Sequence, residues 1–174
     1  MRAVVIEDFS TTPVVRDLPA PVAPEHGVVL DVEATGVCRS DHHAWSGHDS
    51  TVSLPHVPGH ELVGRVASAG PEVAGFPIGQ RVTVPFVCGC GTCRWCRSGQ
   101  AQVCPDQTQP GFTHFGSWAD QVVIHHADAN RSARPRRAMG GIYYSTRAKI
   151  DQQAQDEYLR DLGELMQEKS AGTD

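Results

Sequence analysis

Five of the chain's six cysteines fall between positions 88 and 104, in CGCGTCRWCRSGQAQVC, and no other feature restricts the fold as much. Four of them, Cys90, Cys93, Cys96 and Cys104, have the spacing C-x2-C-x2-C-x7-C. Thiolates at such short gaps can surround one tetrahedral ion, and Gly91 and Gly99 let the backbone turn so that the sulfurs converge. Zinc is the natural occupant, because thiolate ligation disfavours magnesium and calcium. A closed four-sulfur shell leaves no open position for substrate, so this site would hold a loop together and not catalyse. Other uses of the cysteines stay open. An iron–sulfur cluster takes the related run C-x2-C-x2-C-x3-C-P, and Pro105 does follow Cys104, but the last gap here is seven. A thioredoxin-type redox pair belongs beside a βαβ pattern, which this sequence lacks, and disulfides suit a secreted chain. Cys88 is left over and reads as a small buried or free thiol.

The length of 174 residues suits one sizeable domain, or one domain plus an appendage. A formal charge of -5 leaves no basic excess to grip phosphate backbones, so nucleic acid is not an expected partner. No run of about 18 apolar residues occurs, and MRAVVIEDF has no long apolar stretch after its arginine, so neither a membrane span nor a leader is expected. The chain reads as cytoplasmic. In a reducing compartment, clustered cysteines bind metal or do redox chemistry more often than they form disulfides.

Most of the chain has a β pattern. MRAVVIEDF is followed by a Pro-rich connection (Pro13, Pro19, Pro21, Pro24) and then by GVVLDVEATGV, where Val28, Leu30 and Val32 alternate with Asp31 and Glu33. HELVGRVASAG, RVTVPF and SWADQVVIHH supply further strands, punctuated by glycine turns. Short strands without long helical patterns between them predict a mainly β fold, closed or strongly curved. The composition changes near Asn130. The last 44 residues hold eight of the fifteen Lys plus Arg but no histidine and no cysteine. RSARPRR reads as a solvated connector. Apolar Ile150, Ala154, Tyr158, Leu162, Leu165 and Met166 then recur at gaps of three and four, which predicts an amphipathic helix over 146–169.

A second group of ligand-type side chains lies in GVCRSDHHAWSG, residues 36–47, and PGHELVG, residues 58–64. Cys38 ends one apparent strand and His60 begins another, so pairing of those strands could bring a thiolate and an imidazole onto one ion. By themselves a cysteine and a histidine are more often simply packed. The combination GVCRSDHH, PGHE, GFPIGQRV, the four-cysteine loop and GFTHFGSWADQVV, in that order, resembles the catalytic, GroES-like domain of zinc-dependent medium-chain alcohol dehydrogenases, from Met1 to about Asn130. The resemblance implies a GroES-like β-barrel over 1–130 with a zinc lobe at about 88–104, followed by a divergent tail over 131–174. It implies that Cys38 and His60 bind a catalytic zinc, with Glu61 as an alternative ligand and Asp41 orienting the histidine. It matches Ser40 and His43 to a proton relay from substrate alcohol to solvent, and Arg39 to a contact with the cofactor's pyrophosphate. Cys90, Cys93, Cys96 and Cys104 match the structural zinc site.

The implied reaction is oxidation of an alcohol to an aldehyde or ketone with NAD(P). Zinc as a Lewis acid favours the alkoxide, from which hydride leaves for a nicotinamide ring. A hydroxyl and a histidine three residues apart can relay the proton if they share one turn, although a turn-capping serine and an exposed histidine are the plainer readings of Ser40 and His43. Arg39 without a phosphate to bind is a surface arginine. The family also carries a Rossmann domain, and no G-x-G-x-x-G occurs in this sequence. The expectation is therefore either a truncated or frame-shifted gene, or a helical tail that docks where the cofactor domain would sit. The alternative to an enzyme is a catalytically silent zinc-binding module or a fragment that needs a partner. Small alcohols or carbonyls are the implied substrates, and oligomerisation is possible.

Overall fold

The alternation that begins at Val28 folds as the strand around which the rest is arranged. In the computed structural model, which describes residues 1–125 and the strand Tyr143–Ser145, the order is β1 (Arg2–Val5), β2 (Val14–Asp17), β3 (Val28–Gly36), α1 (Arg39–Trp45), β4 (Leu62–Ala69), β5 (Arg81–Thr83), α2 (Arg94–Arg97), a 3-10 turn (Ala101–Val103), β6 (Gln121–Ile124) and β7 (Tyr143–Ser145). β1 and β2 pair antiparallel, and β5-β4-β3-β6 form a second antiparallel sheet. Opposite β4, the other edge of β3 is shared: Val28–Asp31 pairs with β6, and Ala34–Gly36 with β7. The two sheets join through the segment before β6. Trp118 accepts from Val4 N at 2.8 Å, Asp120 N donates to Arg2 O at 3.0 Å, and Val32 N donates to Asp120 O at 2.9 Å. That continuity wraps the strands into the expected mainly β, curved body.

Side-chain alternation puts one face of each central strand into a shared core. Val28 and Leu30 of β3 meet Leu62 and Val66 of β4, Val82 of β5 and Val122 and Ile124 of β6, with Cys88 completing the cluster. Arg65 and Asp31 point outward between these buried neighbours. Each fully buried Leu or Val contributes about 1.5–3 kcal/mol over an exposed one. Gly64 is required where β4 crosses β3, because a Cβ there would lie 2.4 Å from Asp31 O. A second cluster of Ala3, Val5, Ile6, Val57 and Trp118 packs Trp45 of α1 against the smaller sheet. Among the described residues no helix is long and apolar enough to cross a membrane.

Three elements depart from the sequence expectations. β2 lies inside the Pro-rich connection: Pro13 precedes its first residue and Pro19 follows its end, positions where a missing N–H costs no ladder bond. The stretch after Cys38 is a helix of 7 residues, too short for a periodic signal. β7 adds a strand to the tail, which was expected to hold only a connector and a helix. The predicted helix over 146–169 and the RSARPRR connector lie outside the described residues.

Candidate functional site

Cys38 follows β3 directly and caps α1. Its backbone is extended, with φ -136°, and its Sγ accepts from Ser40 N at 3.3 Å. Asp41 answers the cap, its Oδ2 accepting from Cys38 N at 2.8 Å. The other oxygen, Oδ1, accepts from Gly59 N at 3.2 Å, so one carboxylate that is 1% exposed ties α1 to the loop carrying His60. His60 Nε2 then lies 3.3 Å from Cys38 Sγ, and His60 Nδ1 lies 3.4 Å from Asp41 Oδ1 in an alignment that falls short of a hydrogen bond.

The His60 loop is held in place by close backbone packing. Gly116 N donates to Val57 O at 2.7 Å, Ser117 N to Gly59 O at 2.9 Å, and Trp118 N to Pro58 O at 3.0 Å. Gly59 has φ +101°, and Gly116 approaches so closely that an added Cβ would lie within 2.1 Å of Gly59 O. Ser117, 1% exposed, shares a 2.6 Å hydroxyl contact with Thr35 of β3, and Trp118 Nε1 donates to Gly36 O at 3.2 Å.

The donor set fits a thiophilic divalent ion. A sulfur and an imidazole nitrogen bound to one tetrahedral zinc stand about 3.5 Å apart, given bonds of about 2.3 and 2.0–2.1 Å. The observed 3.3 Å is close to that separation. Cys38, Asp41 and His60 each bring a ligand-type atom within 4.8 Å of the others. Both Asp41 oxygens already accept backbone N–H groups, whereas Cys38 Sγ and His60 Nε2 face each other. Glu61 follows His60 in the chain but is not among the three convergent side chains. Its Oε2 is buried without a hydrogen-bond partner and lies 2.5 Å from where a Cβ on Gly36 would be, so only a glycine leaves room for it.

Ser40 and His43 both lie on α1, three residues apart, but are not hydrogen-bonded to each other. His43 is exposed and faces the His48 ring at 5.9 Å, and Arg39 is exposed at the start of the helix. Two residues that sequence reasoning did not single out complete the site. Phe86 and Phe112 pack on the His60 ring with centroids at 5.2 and 5.1 Å, and on each other at 5.7 Å. Their only sequence signal is position, just before and just after the cysteine run.

The four remaining ligand-type cysteines converge in a separate lobe, their sulfurs all within 4.8 Å. Cys93 caps the four-residue α2, its Sγ accepting from Cys96 N at 3.4 Å, and Cys104 Sγ accepts from Cys90 N at 3.4 Å. The Cys93 and Cys104 sulfurs are 3.8 Å apart, the separation of about 3.8 Å that two thiolates share on a tetrahedral zinc. None of the six cysteines is in a disulfide. Hydrogen bonds from Thr92 draw the Cys90 thiol down to about 6, whereas burial pushes Cys96 up to about 12. One lowered and one raised thiol in so small a volume is an arrangement that a bound cation would change, by favouring the thiolate form at all four sulfurs. Cys88 is fully buried in the sheet core, as its reading as a packed thiol anticipates.

This architecture is found in known proteins. The model of the alcohol dehydrogenase GroES-like domain matches residues 24–132. An alcohol dehydrogenase of Geobacillus stearothermophilus is 34% identical over 122 residues, covering 69% of this chain and 36% of its own length. An L-threonine 3-dehydrogenase of Chromobacterium violaceum is 37% identical over 111 residues, covering 62% of this chain and 33% of its own. The chain thus spans about a third of the length of such relatives. Among solved structures, an NAD-dependent alcohol dehydrogenase superposes with a TM-score of 0.66 at 32% identity, over 73% of this chain and 38% of that one. A cobalt- and zinc-bound thermostable alcohol dehydrogenase from Pyrobaculum aerophilum gives 0.67 at 29% identity, over 71% and 38%. By sequence and by fold, this chain belongs to the GroES-like domain family of alcohol dehydrogenases.

Proposed function

We propose that this domain holds zinc at two places and serves the oxidation of an alcohol to an aldehyde or ketone with NAD(P). The observation that carries the reading is the 3.3 Å approach of Cys38 Sγ to His60 Nε2, locked by a buried carboxylate that touches the backbone on both sides. Zinc bound there supplies Lewis-acid polarisation of the alcohol oxygen, which favours hydride transfer to nicotinamide.

Cys38 and His60 hold that ion, and Glu61, next to His60 in sequence and with its carboxylate packed against Gly36, is the alternative ligand. Asp41 keeps the proton on His60 Nδ1, leaving Nε2 free to coordinate. Phe86 and Phe112 shield the imidazole from water. Ser40, at the first turn of α1, takes the alcohol proton, and exposed His43 releases it to solvent, with a bridging water closing the gap between them. Arg39, exposed beside Cys38, offers a guanidinium to a cofactor pyrophosphate. Cys90, Cys93, Cys96 and Cys104 hold the structural zinc. Six cysteines without a disulfide suit a cytoplasmic setting.

The test is a metal count on the purified chain combined with an NAD(H) titration and an assay of alcohol-dependent NAD reduction. Two zinc ions with cofactor binding support the enzyme. Zinc without binding or turnover supports the alternative, a catalytically silent zinc-binding module. Iron in place of zinc overturns the assignment of the cysteine lobe.

A further inference from the structure

A short covalent path joins the cysteine lobe to the Cys38–His60 pair. The lobe hangs from a neck in which Cys88 and Thr108 exchange two backbone hydrogen bonds, each of 2.9 Å. Inside the neck, Cys90 and Cys104 are the first and last sulfurs, and Gln107 N reaches back to Cys104 O at 3.3 Å. Outside it, the two chain segments lead to Phe86 and Phe112, whose rings form a triangle with the His60 ring, each in contact with the other two. Both sides of the neck meet the core, Cys88 in the sheet cluster and Phe112 against Ala44 of α1 and Val52. Asp41 Oδ1 lies 3.4 Å from His60 Nδ1 without the alignment of a hydrogen bond, so the ring also relies on Phe86 and Phe112 packed against it.

We propose that the metal-loaded cysteine lobe positions His60: by clamping the Cys88–Thr108 neck it holds Phe86 and Phe112 against the imidazole, so that filling the lobe tightens metal binding at Cys38 and His60. Phe86 and Phe112 are then positioning residues, and the two sites are thermodynamically coupled. By reciprocity, filling the Cys38–His60 site tightens the lobe by the same factor. The proposal rests on the two-metal reading given above.

The experiment loads the full chain with cadmium-113. Four-sulfur and sulfur–imidazole sites give separate resonances, and the affinity of each is measured by chelator competition. In a Cys93→Ser chain, which cannot complete the lobe, the second site is expected to bind at least about fivefold more weakly than in the parent. Phe86→Leu and Phe112→Leu are expected to weaken and shift the second resonance while the lobe resonance stays in place, and Phe86→Tyr, which keeps the ring, to restore it. Phe86 is 48% exposed, so leucine there is compatible with folding even if Cys93→Ser is not. Unchanged second-site affinity and resonance in both leucine variants overturn the proposal. A parent chain that shows the lobe resonance alone overturns the two-metal reading itself, which makes the two failures distinguishable.

Discussion

Cys38 Sγ and His60 Nε2 are 22 residues apart in the chain and 3.3 Å apart in space. Neither residue achieves that alone. Asp41 caps the helix behind Cys38 and holds the amide beside His60, so the separation is set by one carboxylate with a hydrogen bond to each side.

Replacing Asp41 with Asn tests that role. The amide retains one acceptor but turns an NH2 group toward a backbone N–H, leaving a buried donor unsatisfied. The expected loss is about 1–3 kcal/mol of stability. Metal affinity at the Cys38–His60 site should fall about 10–100-fold, read by chelator competition. Full affinity in a folded Asn variant would remove Asp41 from the site.

Gly116 and Gly75 separate crowding from backbone strain. A Cβ on Gly116 would lie 2.1 Å from Gly59 O and 2.5 Å from Pro58 O, so Gly116→Ala must push the His60 loop away. Gly75 has φ +85° and nothing within 4 Å, so alanine there meets only the left-handed backbone cost of about 1–2 kcal/mol. Urea unfolding of the two variants should show Gly116→Ala as the more damaging, by more than about 1 kcal/mol, and as the one that also weakens the second metal site.

Chelation should act on the lobe before the sheets. Cys104 is 2% exposed and its sulfur touches both Cys90 N and Cys93 Sγ, so Cys104→Ser opens the lobe from inside. Limited proteolysis of the chelated chain or of this variant should cut first within 89–107 while the five-stranded sheet stays protected in hydrogen exchange. Uniform loss of protection across β3 and β4 would show instead that the lobe metal supports the whole fold.

His56 gives a pH dependence with a definite sign. Its Nε2–H donates to Gly111 O at 2.8 Å, and burial pushes its pKa below the ordinary imidazole value, partly offset by that bond and by Asp41. A depressed pKa means that the folded state favours the neutral ring. Its contribution is therefore complete above the unfolded value of about 6.5 and declines as pH falls toward the lower folded value. Urea midpoints of the parent should drop between pH 7 and 5, and His56→Gln should flatten that slope. Identical slopes would assign the acid sensitivity to other groups.

Much of the fold was legible in the sequence because β structure leaves a local record. The alternation at Val28, Leu30 and Val32 and the run at Leu62 to Ala69 mark central strands, since burying one face demands a two-residue period. β2 escaped because four residues between prolines carry too little pattern, and α1 because seven residues fall just short of two turns. β7 could be recognised only against the edge of β3 that it covers.

The convergence of the four cysteines was legible for a different reason. Cys90, Cys93 and Cys96 are near neighbours in sequence, so their spacing alone brings the sulfurs close, and Cys104 needs only a short loop to return. Cys38 and His60 are recognisable as candidate ligands, but their meeting needs the pairing of β3 with β4 and the Asp41 tie. The placing of Phe86 and Phe112 on His60 was a decision of the tertiary structure alone. Residue type and spacing determine which chemistry is available over a few residues, whereas the direction in which distant side chains point is set only when the sheets close and the core packs.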